Sequence, residues 1–164
     1  MHERPPADSR TDNMAMTVDR QIQGQEDASA LLVRLAGRQY GLPLGAVERV
    51  MPMACVLSLP DLGQGLVGML NLHGNVLPVV DPRQRLGLPT PAVSAEHRMV
   101  LVRGSNRFLL WVDEVDEVVT LSADEQSGVP AQQASPVVPR VLRIGDALVP
   151  LLAPTALEPR AAGR

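Results

Sequence analysis

The chain contains no lysine: its fifteen basic residues are all arginine, and eighteen acidic residues bring the formal net charge to −3. The arginines are scattered rather than gathered into blocks. A nucleic-acid surface needs clustered cations to displace counterions and aromatic rings on which bases stack. With one Phe, one Trp and one Tyr in 164 residues, the sequence argues against that class of partner. The same shortage requires a core built from Leu, Val, Met and Ala. The single cysteine, Cys55, cannot close an intramolecular disulfide and is read as a small apolar residue. No apolar run reaches the roughly 20 residues of a membrane-spanning helix. Residues 1–20 mix charges of both signs without a hydrophobic segment, unlike a secretory signal. The expected location is the cytoplasm.

What is present is an aliphatic excess. Hydrophobic residues make up 45% of the chain and charged residues 20%, enough apolar material for a globular core. Residues 1–29 hold few large aliphatics, and the expectation is a flexible tail, mirrored by a short one at 159–164. Between them, residues 30–158 are a series of short apolar runs punctuated by Gly, Pro, Asn and Asp. Residues 31–35 and 39–43 predict a hairpin around Ala36-Gly37-Arg38. Residues 65–72 and 76–80 predict a second, with Gly74-Asn75 as its tight turn, and Pro78 is placed at an edge or bulge. Residues 99–102 and 108–112 predict a third, extended by 115–121. Residues 141–144 and 148–152 predict a fourth, followed by a short helix opened by Pro154. Residues 44–51 suit either a helical turn or a strand, 83–86 a single helical turn, and 122–139 a long loop. Many short strands with frequent turns indicate an all-β fold, with closed barrels preferred because they remove sheet edges.

No catalytic grouping emerges. His2, His73 and His97 are far apart and match no metal-ligand spacing, and no nucleophile elbow, P-loop or dinucleotide fingerprint occurs. Gly63, Gly65 and Gly68 imitate part of a Gly-rich loop, but no helix with a lysine follows. Asp113, Glu114, Asp116 and Glu117 alternate with valines and read as the wet face of a strand, with Asp113 placed to cap a turn. No catalytic residue, metal ligand or cofactor is nominated.

The segment Gly68 to Arg83 (GMLNLHGNVLPVVDPR) is more specific. It closely resembles the signature of the CheW-like family, the chemotaxis coupling proteins and the matching domain of chemosensory histidine kinases. Leu35 to Pro43 looks like that family's opening hairpin, Leu59-Pro60 precedes the signature at a familiar distance, Phe108 to Val118 resembles its second repeat, and Gly145 to Leu152 its closing hairpin. The resemblance spans about residues 30–158. It implies two small five-stranded SH3-like β-barrels packed on a common hydrophobic seam, with short helical turns. It also implies a non-enzymatic adaptor that couples chemoreceptor (methyl-accepting) cytoplasmic tips to a CheA-type histidine kinase, without inserting into the membrane itself. Three departures are visible. His73 stands where the family usually has Arg, Arg49 where it favours Glu, and Pro82 where it has Leu. His73 exchanges a permanent planar cation for a group that carries at most one charge.

The resemblance implies a kinase-facing edge, for which Val47, Glu48, Arg49, Met51 and Met53 are the candidates, the alternative for both methionines being core filling. It implies a receptor groove, for which Asn71, His73, Gly74, Asp81 and Arg83 are the candidates. Asn71 and Asp81 would equally serve to satisfy turn backbone groups. Trp111 is expected in a core or in the seam. Two other functions are weighed: an adaptor of a related chemosensory pathway controlling pili or second messengers, and a small β-barrel enzyme or ligand-binding protein working through Asp113 or His73.

Overall fold

The computed structural model describes residues 29–58, 65–121 and 135–159. The expected tails apart from Ser29 and Pro159, with Leu59-Pro60, Gly63 and most of the expected 122–139 loop, lie outside the described residues, and Ser29, expected in the first tail, is instead the buried first residue of a strand. Ten strands follow one another: β1 (Ser29–Leu35), β2 (Arg38–Pro43), β3 (Val47–Pro52), β4 (Leu66–Leu72), β5 (Asn75–Val80), β6 (Arg98–Arg103), β7 (Arg107–Val112), β8 (Glu114–Thr120), β9 (Arg140–Ile144) and β10 (Ala147–Leu151). A 3-10 turn at Leu44–Ala46 precedes β3, so the ambiguous stretch is a helical turn and a strand in succession. Single helical turns α1 (Arg83–Leu86) and α2 (Pro154–Leu157) complete the set, both as expected.

The strands form two five-stranded sheets, ordered β8-β1-β2-β10-β9 and β3-β6-β7-β5-β4. Each contains a hairpin that crosses back to pair in parallel with an earlier or later strand, β5 with β7 and β10 with β2. A proline sits one residue before each parallel pairing begins: Pro78 before Val79↔Leu109, and Pro150 before Leu151↔Gly41. Proline cannot donate to a ladder, so it falls where the strand is still an edge on that side. The expectation of closed barrels needs correction. No ladder among the described residues joins β8 to β9 or β3 to β4. The second sheet comes closest to closure, because the chain beyond β3 returns to β4 at Leu57, whose amide and carbonyl both bond Met69 (2.8 and 2.9 Å). Gly68 is required there, since a Cβ would stand 2.2 Å from the Leu57 carbonyl oxygen. Among the described residues the first sheet has no such return, and charged side chains on β8 (Glu114, Asp116, Glu117) border its edge.

Side chains alternate across each strand, and in β1, β6 and β7 both sets are buried. From β1, Leu31, Val33 and Leu35 enter a shared cluster with Val100 and Val102 of β6, Phe108, Leu110 and Val112 of β7, and Leu152 and Leu157 of the C-terminal arm. This is the seam between the sheets. The alternate residues of β6 and β7, Met99, Leu101, Leu109 and Trp111, turn the other way and join Leu77 and Val79 in a second cluster inside the second sheet. Trp111 therefore belongs to that core rather than to the seam. Cys55, read as a small apolar residue, is exposed.

Two turns differ from expectation. The β4–β5 turn is His73-Gly74 rather than Gly74-Asn75, since Leu72 pairs with Asn75. Both turn residues take positive φ, 51° and 88°, which matches the right-handed twist of a two-residue hairpin. The stretch 115–121, expected to extend the third hairpin, falls in and just after β8, which leaves that sheet after Asp113 and pairs with β1 in the other one.

Candidate docking surfaces

β3 lies at the end of the second sheet and, among the described residues, pairs with β6 only, with a register shift between Val47 and Arg49. The shift separates the five residues expected on this edge. Val47 is 1% exposed and belongs to the seam, so it has no surface to offer a partner. Glu48 is drawn onto the β6–β7 hairpin: its Oε1 accepts from Arg103 Nε and Nη2 (2.8 and 2.5 Å) and its Oε2 from Arg107 Nε (2.8 Å). Burial raises the Glu48 pKa, but the hydrogen bonds and charges of the two arginines outweigh it and hold the carboxyl below its ordinary 4.5. Arg103 and Arg107 sit directly opposite each other across β6 and β7. Like charges so placed repel, and Glu48 resolves that repulsion. The Arg-Gly-Ser-Asn-Arg hairpin was the available signal for this triad. Arg49 is left as the exposed charge of this edge.

Met51 and Met53 are half-buried and pack onto the second sheet's core together with Val56, Val67, Leu70 and Leu72. Leu57 beside them is 65% exposed. Core filling therefore holds for both methionines, while each side chain also keeps part of its surface exposed. The incompletely closed side of the second sheet is an aliphatic rim, with Arg49 and Met51 on β3 and Met53 just beyond its end. Leu70 and Leu72 were not among the sequence candidates, because their approach to the end of β3 depends on the Leu57–Met69 bridge between distant segments.

The receptor-groove candidates fall into two groups at opposite ends of β5. Asn71, His73 and Gly74 are exposed at the hairpin tip, where the Asn71 Oδ1 accepts from the Gly74 amide (2.9 Å). Asn71 is therefore a turn-capping residue as well as a surface one. Asp81 and Arg83 lie about 20 Å further along the strand direction at roughly 3.3 Å per residue, and both are 0% exposed. Asp81 Oδ1 accepts from the Arg83 amide (3.0 Å) and from Arg83 Nη1 (2.8 Å), and its Oδ2 accepts from the Thr90 hydroxyl (2.7 Å). Arg83 Nη2 donates to Asp113 Oδ1 (2.5 Å), and its guanidinium carbon lies 4.5 Å from the centre of the Trp111 ring.

The network continues through Trp111, whose indole N–H donates to His97 Nδ1 (3.0 Å). With Nδ1 accepting, the imidazole proton sits on Nε2, which faces Asp113 Oδ1 at 3.7 Å. The other oxygen of Asp113 accepts from the Ala36 amide (2.7 Å) in the β1–β2 turn. Asp113 thus caps a turn, as anticipated, but one 77 residues away in sequence. A buried guanidinium is held only when carboxylates and a ring face replace its water, and Asp81, Asp113 and Trp111 do so here. Among the described residues, no group of three or more His, Cys, Asp or Glu could hold a metal ion, and no helix is long and apolar enough to cross a membrane.

Two five-stranded sheets on an aliphatic seam, with polar residues engaged in structural pairs and an apolar rim open on one side, define an all-β module. A model of the CheW-like domain family matches residues 29–160, and the chain belongs to that family. The crystal structure of scaffolding protein TtCheW from Thermoanaerobacter tengcongensis is similar in fold, with a TM-score of 0.72 at 22% identity over 80% of this chain and 92% of that one. The chain is also similar to chemotaxis protein CheW of Bacillus subtilis, 28% identical over 95 residues (57% of this chain, 61% of the relative). Protein PilI of Pseudomonas aeruginosa is 28% identical over 109 residues (66% and 61%). The matches span less than two thirds of these relatives' own length.

Proposed function

We propose that this chain is a non-enzymatic, cytoplasmic coupling adaptor of a chemosensory system, in which residues 30–158 form a module that docks a CheA-type histidine kinase and chemoreceptor tips. Membership of the CheW-like family supports the reading, and the observation that carries it is the aliphatic rim of the second sheet. Met51, Met53, Val56, Leu70 and Leu72 are half-buried around one cluster and present adaptable apolar area there, where a partner's sheet can add its own. Of the sequence candidates for kinase contact, Arg49, Met51 and Met53 remain, with Glu48 as the residue that fixes the adjoining hairpin. For receptor contact Asn71, His73 and Gly74 remain, and Asp81 and Arg83 hold the base of that hairpin.

The test is reconstitution. Kinase and receptor cytoplasmic fragments are mixed with and without this chain, and kinase autophosphorylation is followed as receptor ligand state or methylation state is changed. The expected result is receptor-dependent autophosphorylation only when the chain is present. Autophosphorylation indifferent to the folded chain would contradict the coupling role. The similarity to chemotaxis protein CheW and to Protein PilI at the same identity makes the choice of kinase a variable of that experiment. Kinases from both kinds of pathway in the source organism belong in it.

A further inference from the structure

After β10 the chain leaves the first sheet and ends its described course on the second. The Leu152 amide still bonds the Gly41 carbonyl of β2 (2.8 Å), and the Ala153 amide bonds Val137 (2.9 Å). Pro154 then opens α2, the Ala156 carbonyl accepts from Arg85 of α1, and Leu157 enters the seam at 0% exposure. The next residue, Glu158, reaches the tip of the β6–β7 hairpin. Its Oε2 accepts from the Ser105 amide (2.8 Å), and its Oε1 from the Asn106 amide (2.8 Å) and the Asn106 side-chain amide (2.9 Å). Three donors converge on one carboxylate. Burial raises the pKa of Glu158, but these hydrogen bonds outweigh it and keep the carboxyl below its ordinary 4.5.

The hairpin tip is shaped for this contact. A Cβ on Gly104 would lie 2.5 Å from Glu158 Oε2, so the glycine leaves the space that the carboxylate fills. Seven consecutive residues thus engage the first sheet, α1, the seam and the second sheet in turn. Two of them, Leu152 and Leu157, are fully buried between the sheets.

We propose that residues 152–158 form a strap fastening the first sheet onto the second, with Glu158 as its latch, and that releasing the latch opens the arm as one unit and loosens the seam. The inference rests on the fold and stands apart from the docking function. It predicts coupling between groups that are not in contact: the amides of Ser105 and Asn106 at the hairpin tip, and those of Ala156, Leu157 and Glu158 in the arm.

The experiment is amide hydrogen exchange by NMR on the full chain and on Glu158→Gln, Gly104→Ala and the double variant. Glu158→Gln keeps the side-chain size but loses the charge and one acceptor. Gly104→Ala removes the space for the carboxylate, and its backbone is not in the left-handed region. Each single variant is expected to speed exchange roughly tenfold at both the tip and the arm, as for loss of a charge-assisted hydrogen bond. The double variant should be no faster than the faster single one, because both remove one interaction. Faster exchange confined to Ser105 and Asn106 would make Glu158 a turn cap and overturn the strap. Unchanged exchange in both places would overturn the latch itself. Should Gly104→Ala not fold, Glu158→Gln alone decides between these outcomes.

Discussion

At the scale of single residues, the charged groups that matter most are those that no partner can reach. Asp81 and Arg83 look in sequence like a surface pair beside a turn, and nothing local marks them as buried. Their burial depends on Trp111 and Asp113, thirty residues away, which supply the ring face and the second carboxylate. Replacing Arg83 by Met leaves two carboxylates facing each other at the base of the hairpin. The expected cost is about 3 kcal/mol or more, read as a lower urea midpoint at unchanged m-value; a loss under about 1 kcal/mol would show that the network is not held by its cation. Ala36 offers the opposite case. It adopts φ 51° ahead of Gly37 at 77°, a turn that favours Asn-Gly. Ala36→Asn keeps the amide that Asp113 accepts from and is expected to stabilise by roughly 0.5–1 kcal/mol, measured as a raised Tm. The placement of His73 in the left-handed region was open to inference, since His is enriched there, whereas Gly74-Asn75 was chosen because glycine dominates such turns.

At the scale of elements, all four hairpins were legible, because aliphatic runs broken by Gly, Asn or Asp leave little choice of partner. The position of β8 was not. It follows β7 with a single residue between them, yet pairs with β1, and only long-range packing decides that. The segment after β3 was equally silent, since its pairing to β4 rests on one bridge. Gly68→Ala should break that bridge, because the added methyl meets backbone oxygen rather than a movable side chain. The expected cost is about 2 kcal/mol with a weakened apolar rim, seen as lost protection of the Leu57 and Met69 amides; protection retained would show that the segment adapts. The β6–β7 hairpin is held by two carboxylates, Glu48 and Glu158, both with lowered pKa. A carboxyl whose folded pKa lies below its unfolded value stabilises fully above the unfolded value and loses that contribution as pH falls through the folded one. The hairpin should therefore loosen below about pH 4.5, and in Glu48→Gln the part due to Glu48 should vanish from the pH profile of Tm. A profile identical to the parent's would contradict that assignment.

At the scale of the whole molecule, many short apolar strands with so few aromatics pointed to an all-β fold on an aliphatic core, and the two sheets with their shared seam supply it. The CheW-like signature fixed the family on a short stretch of sequence. It could not say that Val47, Asp81 and Arg83 are interior, nor that the exposed cation of the β3 edge is Arg49 while Glu48 is spoken for. The central claim is that the rim of the second sheet docks the kinase. The most direct measurement is titration calorimetry of the full chain against the isolated CheW-like domain of its histidine kinase. The account predicts a Kd on the order of 1 μM, weakened tenfold or more by Arg49→Glu or Met53→Glu and less by His73→Glu at the hairpin tip next to Leu72. Absence of heat from folded protein, or binding indifferent to Arg49 and Met53 but lost with His73, would contradict it.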